Sequence, residues 1–260
     1  MRNVLLIVLI SLCMQAAQAQ YEPMKLADMR ISPWHTCPTL VYTPDLVPGK
    51  RYPLLVCFHG RSIAGKDPSK IFREGITRQI KEGRKIAAVN KKDGKRYEFI
   101  VVAPLSTSWS FYPQHTASFL DDVIKHYPVD TTRIYLTGYS AGGWSVESAK
   151  THSPEVSRRI AACVTMSPPI TEKDYRSRYK LVADANIHTW YFAGLQDGST
   201  LGNTRVFMDS TNKYKTGLVK LTEYPGGHSG WHTFLNPSWR ENGMSIYEWL
   251  LQYTTQTDKR

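Results

Sequence analysis

Apolar positions along the chain fall into two alternating rhythms. Six short runs are dominated by apolar, β-branched and aromatic residues: Leu54–Phe58 (LLVCF), Phe99–Ala103 (FIVVA), Arg133–Thr137 (RIYLT), Ala161–Met166 (AACVTM), His188–Phe192 (HTWYF) and Leu218–Tyr224 (LVKLTEY). Most lack polar–apolar alternation, the pattern of strands covered on both faces. Between them, residues 71–80, 116–127, 142–152 and 204–214 carry helical periodicity, and residues 245–253 read as a last helix. Strand alternating with helix predicts an α/β class, with a mostly parallel central sheet, right-handed crossovers and helices on both faces. Residues 39–43 predict an antiparallel edge strand. No internal repeat, low-complexity tract or linker interrupts the pattern, so residues 20–260 are read as one domain, long enough to bury a substantial core.

The first residues break this rhythm. MRNVLLIVLISLCMQAAQAQ has Arg2 as a positive start, an apolar stretch from Val4 to Leu12, and Ala17-Gln18-Ala19 as a small-x-small cleavage site. This predicts a secretory signal peptide over residues 1–19, hence a secreted or periplasmic protein; the apolar stretch is too short to span a bilayer. Cys13 raises the alternative of a lipid-anchored leader, which the bulky Leu12 disfavours. No other stretch is long and apolar enough to cross a membrane.

Of the 4 cysteines, Cys37, Cys57 and Cys163 follow that leader. An odd number does not make a disulfide framework, and two of them sit inside apolar runs as small buried hydrophobes would. No Cys or His spacing resembles a metal site, and no cofactor is expected. The formal charge is +11, much of it between Lys81 and Arg96 in KEGRKIAAVNKKDGKR. No aromatic residue interleaves with these cations, so the segment is read as a solvated helix end and an Asp93-Gly94 turn, not a nucleic-acid platform.

The chemistry is concentrated in IYLTGYSAGGW. Gly138-x-Ser140-x-Gly142 follows a predicted strand and opens a predicted helix. A strand-to-helix turn that sharp lifts one hydroxyl above the carboxyl end of the sheet and aims the Ala141 backbone N–H at a developing oxyanion. A serine nucleophile needs a base and an orienting acid, and on this architecture they follow in the order acid then histidine, each just after a strand. Asp197 in AGLQDG follows HTWYF, and His228 in PGGHSGW follows LVKLTEY. His232 is a competing base without the glycine-rich approach, and Asp174, Asp184 and Asp209 are competing acids that do not directly follow a strand. A second oxyanion donor is expected after LLVCF, in His59-Gly60-Arg61, from the backbone N–H of Arg61; His59 is expected to bond the loop backbone. Trp109, Tyr139 and Trp231 are candidate walls of a substrate cleft, whereas Trp144 reads as core.

With these residues the chain resembles the secreted single-domain α/β-hydrolases that include feruloyl esterases, acetylxylan esterases, polyhydroxybutyrate-depolymerase-like esterases and the group termed predicted peptidases. The carriers are RYPLLVCFHG, FIVVAP, VDTTRIYLTGYSAGGWSVESA, WYFAGLQDGST, LTEYPGGHSGW and IYEWLLQ. The resemblance implies Ser140 as nucleophile, Asp197 as acid and His228 as base. It departs in the oxyanion loop, HGRSIAGK, where relatives often carry small residues and here a basic Arg61 stands at the mouth. The segment between residues 167 and 187 is too short for a large cap domain. The function expected is hydrolysis of carboxylic esters, such as feruloyl or acetyl esters on polysaccharide. The rivals are a serine peptidase of the same fold and a hydrolase fold used only for binding.

Overall fold

The computed structural model describes residues 24–170 and 174–255, with the side chains of 174 and 175 left aside. The predicted leader, 1–19, lies outside the described residues. In chain order the elements are β1 (Lys25–Ser32), β2 (His35–Tyr42), β3 (Tyr52–Phe58), α1 (Gly75–Lys81), β4 (Ala87–Val89), β5 (Arg96–Glu98), β6 (Ile100–Pro104), α2 (Thr116–His126), β7 (Val129–Tyr139), α3 (Ala141–Lys150), α4 (Pro154–Ser157), β8 (Ala162–Met166), α5 (Tyr179–Asp184), β9 (His188–Gly194), α6 (Ser199–Asn212), β10 (Val219–Tyr224), α7 (Trp231–Phe234) and α8 (Ile246–Leu250).

Eight strands form the main sheet in the order β1-β2-β6-β3-β7-β8-β9-β10. β1 and β2 pair antiparallel, and β2 also meets β6 antiparallel; every pair from β6 to β10 is parallel. The parallel strands therefore share one carboxyl edge, and the loops leaving it converge there.

Alternation along each strand divides the core in two. Leu55, Cys57, Val101, Tyr135, Val164, Trp190 and Phe192 face one side, where α1, α7 and α8 contribute Ile76, Phe234 and Tyr247. Leu54, Val56, Phe58, Ile100, Val102, Leu136, Cys163 and Tyr191 face the other, against Phe119 of α2, Val146 of α3 and Phe207 of α6. Both faces are covered, which is why the strand sequences run apolar without a break. Cys37, Cys57 and Cys163 are free and buried, and burial pushes the thiol of Cys57 up to about 12.

The structure corrects two local readings and extends a third. The helix expected over 71–80 is two pieces: a 3-10 segment, Pro68–Arg73, and α1. Gly75, at φ +69 and with a would-be Cβ 3.0 Å from the Tyr139 ring, separates them; only glycine takes that conformation freely. Residues 39–43, expected as the edge, belong to β2, and β1 lies outside it as the edge strand, with Ala27, Met29 and Ile31 alternating toward the core. The basic segment 81–96 begins at the end of α1 and closes at the Asp93-Gly94 turn, as read, where the Lys95 N–H donates to Asp93 Oδ1 at 2.9 Å; around the turn it pairs as a hairpin, β4 and β5. Lys91 and Lys92 of this hairpin donate to the Gly243 and Gln252 carbonyls at 2.8 and 2.6 Å. Among the described residues no helix is long and apolar enough to cross a membrane.

Candidate active site

Between the end of β7 and the start of α3 the chain reverses at one residue, Ser140, with φ 53° and ψ −124°. Such angles cost a non-glycine residue energy and persist only where neighbours enforce them. Here the Ser140 N–H donates to the Met166 carbonyl at the end of β8, at 2.9 Å, and the Ser140 carbonyl accepts from the Trp144 N–H, at 3.2 Å. The glycines on either side are steric requirements. A Cβ on Gly138 would overlap the Gly142 carbonyl, and a Cβ on Gly142 would overlap the Phe58 carbonyl of β3. The turn closes because neither side chain exists, and it leaves Ser140 half-buried at the carboxyl edge.

The loops after β9 and β10 are stitched together. The Leu195 N–H donates to the Tyr224 carbonyl at 2.9 Å and the Gln196 N–H to the Gly226 carbonyl at 2.8 Å. This brings Asp197, whose side chain is 6% exposed, beside His228, whose side chain is 43% exposed. His228 Nδ1 lies 2.9 Å from Asp197 Oδ1 and 3.0 Å from Oδ2. A carboxylate only accepts, so Nδ1 carries a proton, and in that tautomer of the neutral ring the lone pair lies on Nε2. That Nε2 faces Ser140 Oγ at 2.8 Å. The three residues singled out on strand order are thus one hydrogen-bonded chain.

Ala141 opens α3, so its N–H belongs to the first turn, where backbone donors lack helical partners. Gly60 follows β3, and its would-be Cβ lies 3.5 Å from Ser140 Cβ, which sets Arg61, the first residue of a 3-10 turn over Arg61–Ile63, one residue beyond the approach to Ser140. His59 is buried. Its Nε2 accepts from the Ser106 N–H at 2.9 Å, so its Nδ1 is the protonated nitrogen and donates to the Gly60 carbonyl, also at 2.9 Å. Burial lowers its pKa below the ordinary histidine value, which keeps it a neutral strut between the two loops.

The candidate cleft aromatics divide. Trp109 is partly exposed, in the loop after β6, tilted against Trp144 of α3 at 4.9 Å between ring centres. Tyr139 and Trp231, expected along the cleft wall, are only 2% and 6% exposed. They stack on each other at 5.4 Å, with Trp231 edge-on to His228 at 5.1 Å. Tyr139 sits under Gly60 and Gly75. Both rings support the site from behind, because a strand-end tyrosine and a helix-start tryptophan turn into the core layer beneath the loops. Trp144, at 7% exposure, is core as expected.

Tyr224 escapes sequence reasoning. Its hydroxyl donates to the Ser229 carbonyl at 2.6 Å and lies 3.2 Å from that of Gly227, holding the His228 loop from both sides. At the end of a predicted strand it looks like any strand tyrosine, and nothing in the sequence marks it.

No protein-family model matches the sequence, and no curated protein matches it. Solved structures do match in three dimensions. A thermostable esterase superposes with a TM-score of 0.67 at 20% identity over 90% of this chain, which spans 63% of that esterase's length. The S-formylglutathione hydrolase of Staphylococcus aureus gives 0.59 at 16% identity, covering 88% of this chain and 96% of its own. A serine-to-alanine mutant of the feruloyl esterase module from Clostridium thermocellum, complexed with sinapinate, gives 0.60 at 13% identity, covering 89% and 88%. The chain therefore has the α/β-hydrolase fold, with Ser140, Asp197 and His228 gathered at the carboxyl edge of its parallel strands.

Proposed function

We propose that this protein is a serine hydrolase of carboxylic esters, with Ser140 as nucleophile, His228 as general base and acid, and Asp197 as the orienting acid. The observation that carries the reading is the continuous contact from Asp197 through His228 to Ser140 Oγ, 2.9 Å and then 2.8 Å, at a residue held at φ 53°. Strain of that kind at a hydroxyl that already faces a neutral imidazole lone pair supports a nucleophile over a packing residue.

In this mechanism His228 Nε2 takes the Ser140 proton as Oγ attacks the ester carbonyl. Asp197 keeps the imidazole in the productive tautomer and stabilises the imidazolium that forms. The backbone N–H groups of Ala141 and Arg61 receive the oxyanion, an interaction of about 3–4 kcal/mol per donor in comparable sites. His228 then protonates the leaving alcohol. Water, deprotonated by the same imidazole, releases the acid from Ser140.

The substrate class proposed is a feruloyl or acetyl ester on polysaccharide, handled by a secreted or periplasmic enzyme. Trp109 offers a partly exposed indole beside the nucleophile helix, a face on which a sugar or phenolic ring stacks. The short excursion between β8 and β9 is consistent with bulky substrates reaching Ser140.

A panel of p-nitrophenyl acetate, p-nitrophenyl butyrate, methyl ferulate, acetylated xylan and a peptide amide tests the reading, with Ser140→Ala as control. Ester turnover lost in Ser140→Ala is the expected result. Cleavage confined to the peptide amide would convert the assignment to a peptidase, and activity retained in Ser140→Ala would overturn Ser140 as nucleophile.

A further inference from the structure

The loop that supplies Arg61 leaves the sheet beside the nucleophile and returns to the same place. Gly60 and Gly75 both rest on the ring of Tyr139, the residue before Ser140: their would-be Cβ atoms lie 2.8 and 3.0 Å from it. Midway, the Gly65 N–H donates to the Ser106 carbonyl at 3.0 Å, tying the excursion to the loop that carries Trp109. The two ends of residues 61–74 therefore form a lip beside Ser140, while Pro68, Ser69 and Phe72 in its middle lie against Met24, Leu26 and Leu40.

That lip is cationic. It carries Arg61, Lys66, Lys70 and Arg73, of which Arg61, Lys66 and Arg73 are exposed. Its two acids offset part of this charge: Asp67 accepts the Ser69 N–H at 3.0 Å and feels Lys70 and Arg73, and Glu74 accepts the Ser62 hydroxyl at 3.5 Å, which leaves the cations in excess with Arg61 and Lys66 at the near end. Among the described residues none of the four cations forms an ion pair. The opposing loops do not neutralise them. Residues 105–112 (LSTSWSFY) bear no charge and residues 225–236 (PGGHSGWHTFLN) bear no acid. Asp197 is buried against His228.

Unpaired cations beside a cleft raise the local concentration of anions, and a guanidinium grips a carboxylate with two parallel bonds. We infer that the substrate ester carries a carboxylate close to the scissile bond, as an ester on an acidic polysaccharide does, and that the Arg61 guanidinium receives it. This inference rests on the esterase reading and narrows its substrate. Arg61 then serves twice, through its backbone N–H toward the oxyanion and through its side chain toward the neighbouring negative charge.

The test compares kcat/KM on acetylated polygalacturonate with that on acetylated dextran, and on the mono-p-nitrophenyl ester of succinate with that on p-nitrophenyl acetate. The first pair places the carboxylate in the polymer and the second in the acyl group. A preference of about tenfold or more for the acidic member of the polymer pair at low salt is expected, the scale of one charge-assisted hydrogen bond. It should shrink in 0.5 M NaCl, roughly where screening reaches a few ångströms, and in Arg61→Gln and Arg73→Gln. It should persist in Lys213→Gln, which removes a cation beyond the end of α6, at the opposite edge of the sheet. A preference seen only with the succinate ester would move the carboxylate to the acyl part, still against Arg61. Equal rates within both pairs, or a preference that Arg61→Gln and salt leave intact, would overturn the inference. Calorimetric binding of polygalacturonate to the Ser140→Ala protein separates the two readings. Salt-sensitive binding without turnover of any ester would sink the esterase assignment and keep the cationic lip; turnover of p-nitrophenyl acetate without charge preference would do the reverse.

Discussion

Asp197 meets His228 with both carboxylate oxygens, 2.9 and 3.0 Å from Nδ1, while its own side chain is 6% exposed. The imidazole is fixed from a buried anchor and presents its other nitrogen to Ser140. Replacing the carboxylate by an amide keeps the shape and places an N–H where the imidazole needs an acceptor. Asp197→Asn should lower kcat about 10⁴-fold, the scale found where the same exchange selects the wrong tautomer. Steady-state kinetics beside a thermal melt checks this; a variant with wild-type kcat would remove Asp197 from the mechanism.

Gly142 touches the Phe58 carbonyl so closely that a methyl group has no room. Gly142→Ala must push α3 away from β3, and with it Ser140 and the Ala141 N–H. We expect a loss of about 3 kcal/mol or more in denaturant titration, at the upper end of overpacking costs, together with loss of esterase turnover. Gly202→Ala is the comparison: it lies on α6 with nothing near its would-be Cβ, and it should leave turnover unchanged and raise stability by up to about 1 kcal/mol.

Glu147 and Lys150 of α3 form a fully buried ion pair at 2.9 Å. Glu147 accepts from Thr165, Tyr179 and Tyr191, and Lys150 donates to Thr189 and Tyr191. The pair ties α3, the helix that follows Ser140, to β8, β9 and α5. Lys150→Met strands a buried carboxylate and should cost about 3–5 kcal/mol. Adding Glu147→Gln removes the stranded charge and should recover more than half of that loss in chemical denaturation. A double variant no more stable than the single would show that charge burial is not the source of the cost.

Two histidines make stability pH-dependent in the same direction. Burial lowers the pKa of His59 below its ordinary 6.5. His188, stacked on Tyr253 at 3.9 Å, is lowered to about 4 by burial first and then by Lys215 and Lys92. The unfolded chain binds these protons more readily than the native one between the folded and unfolded pKa values. Their stabilisation is therefore complete above about pH 6.5 and is lost as pH falls toward 4. Thermal midpoints at pH 7.5, 6, 5 and 4.5 should decline through this window, and the decline should be shallower in His188→Gln. A midpoint flat between pH 7.5 and 5 would contradict it.

Much of the fold was legible because parallel strands covered on both faces must be apolar along their whole length. LLVCF, FIVVA, AACVTM and HTWYF all lie in β3, β6, β8 and β9 within a residue or two at each end. The edge was not legible. β1 has only Met29 fully buried, with Ala27 and Ile31 half-covered on the same face, a short alternation that a loop could also show, and its pairing with β2 is made by backbone groups that every sequence possesses. The break at Gly75 was also hidden, since apolar spacing from Ile71 to Ile80 suits one helix and only the Tyr139 ring beneath forces the kink.

For the site, sequence alone determined which side chains can do the chemistry and in what order they come. A serine between glycines after a strand, an acid after the next-but-one strand and a histidine after the last follow from local backbone demands and chain order. Tertiary structure decided what no local pattern carries: distances, direction and burial. It turned Tyr139 and Trp231 inward to stack behind His228 while leaving Trp109 partly exposed, because a side chain's face depends on the layer it meets. It closed the 61–74 loop back onto Tyr139 and so made a row of cations into one lip of a cleft. It also set the Asp197–His228–Ser140 contacts, which depend on the loops after β7, β9 and β10 converging at one carboxyl edge although β8 lies between β7 and β9.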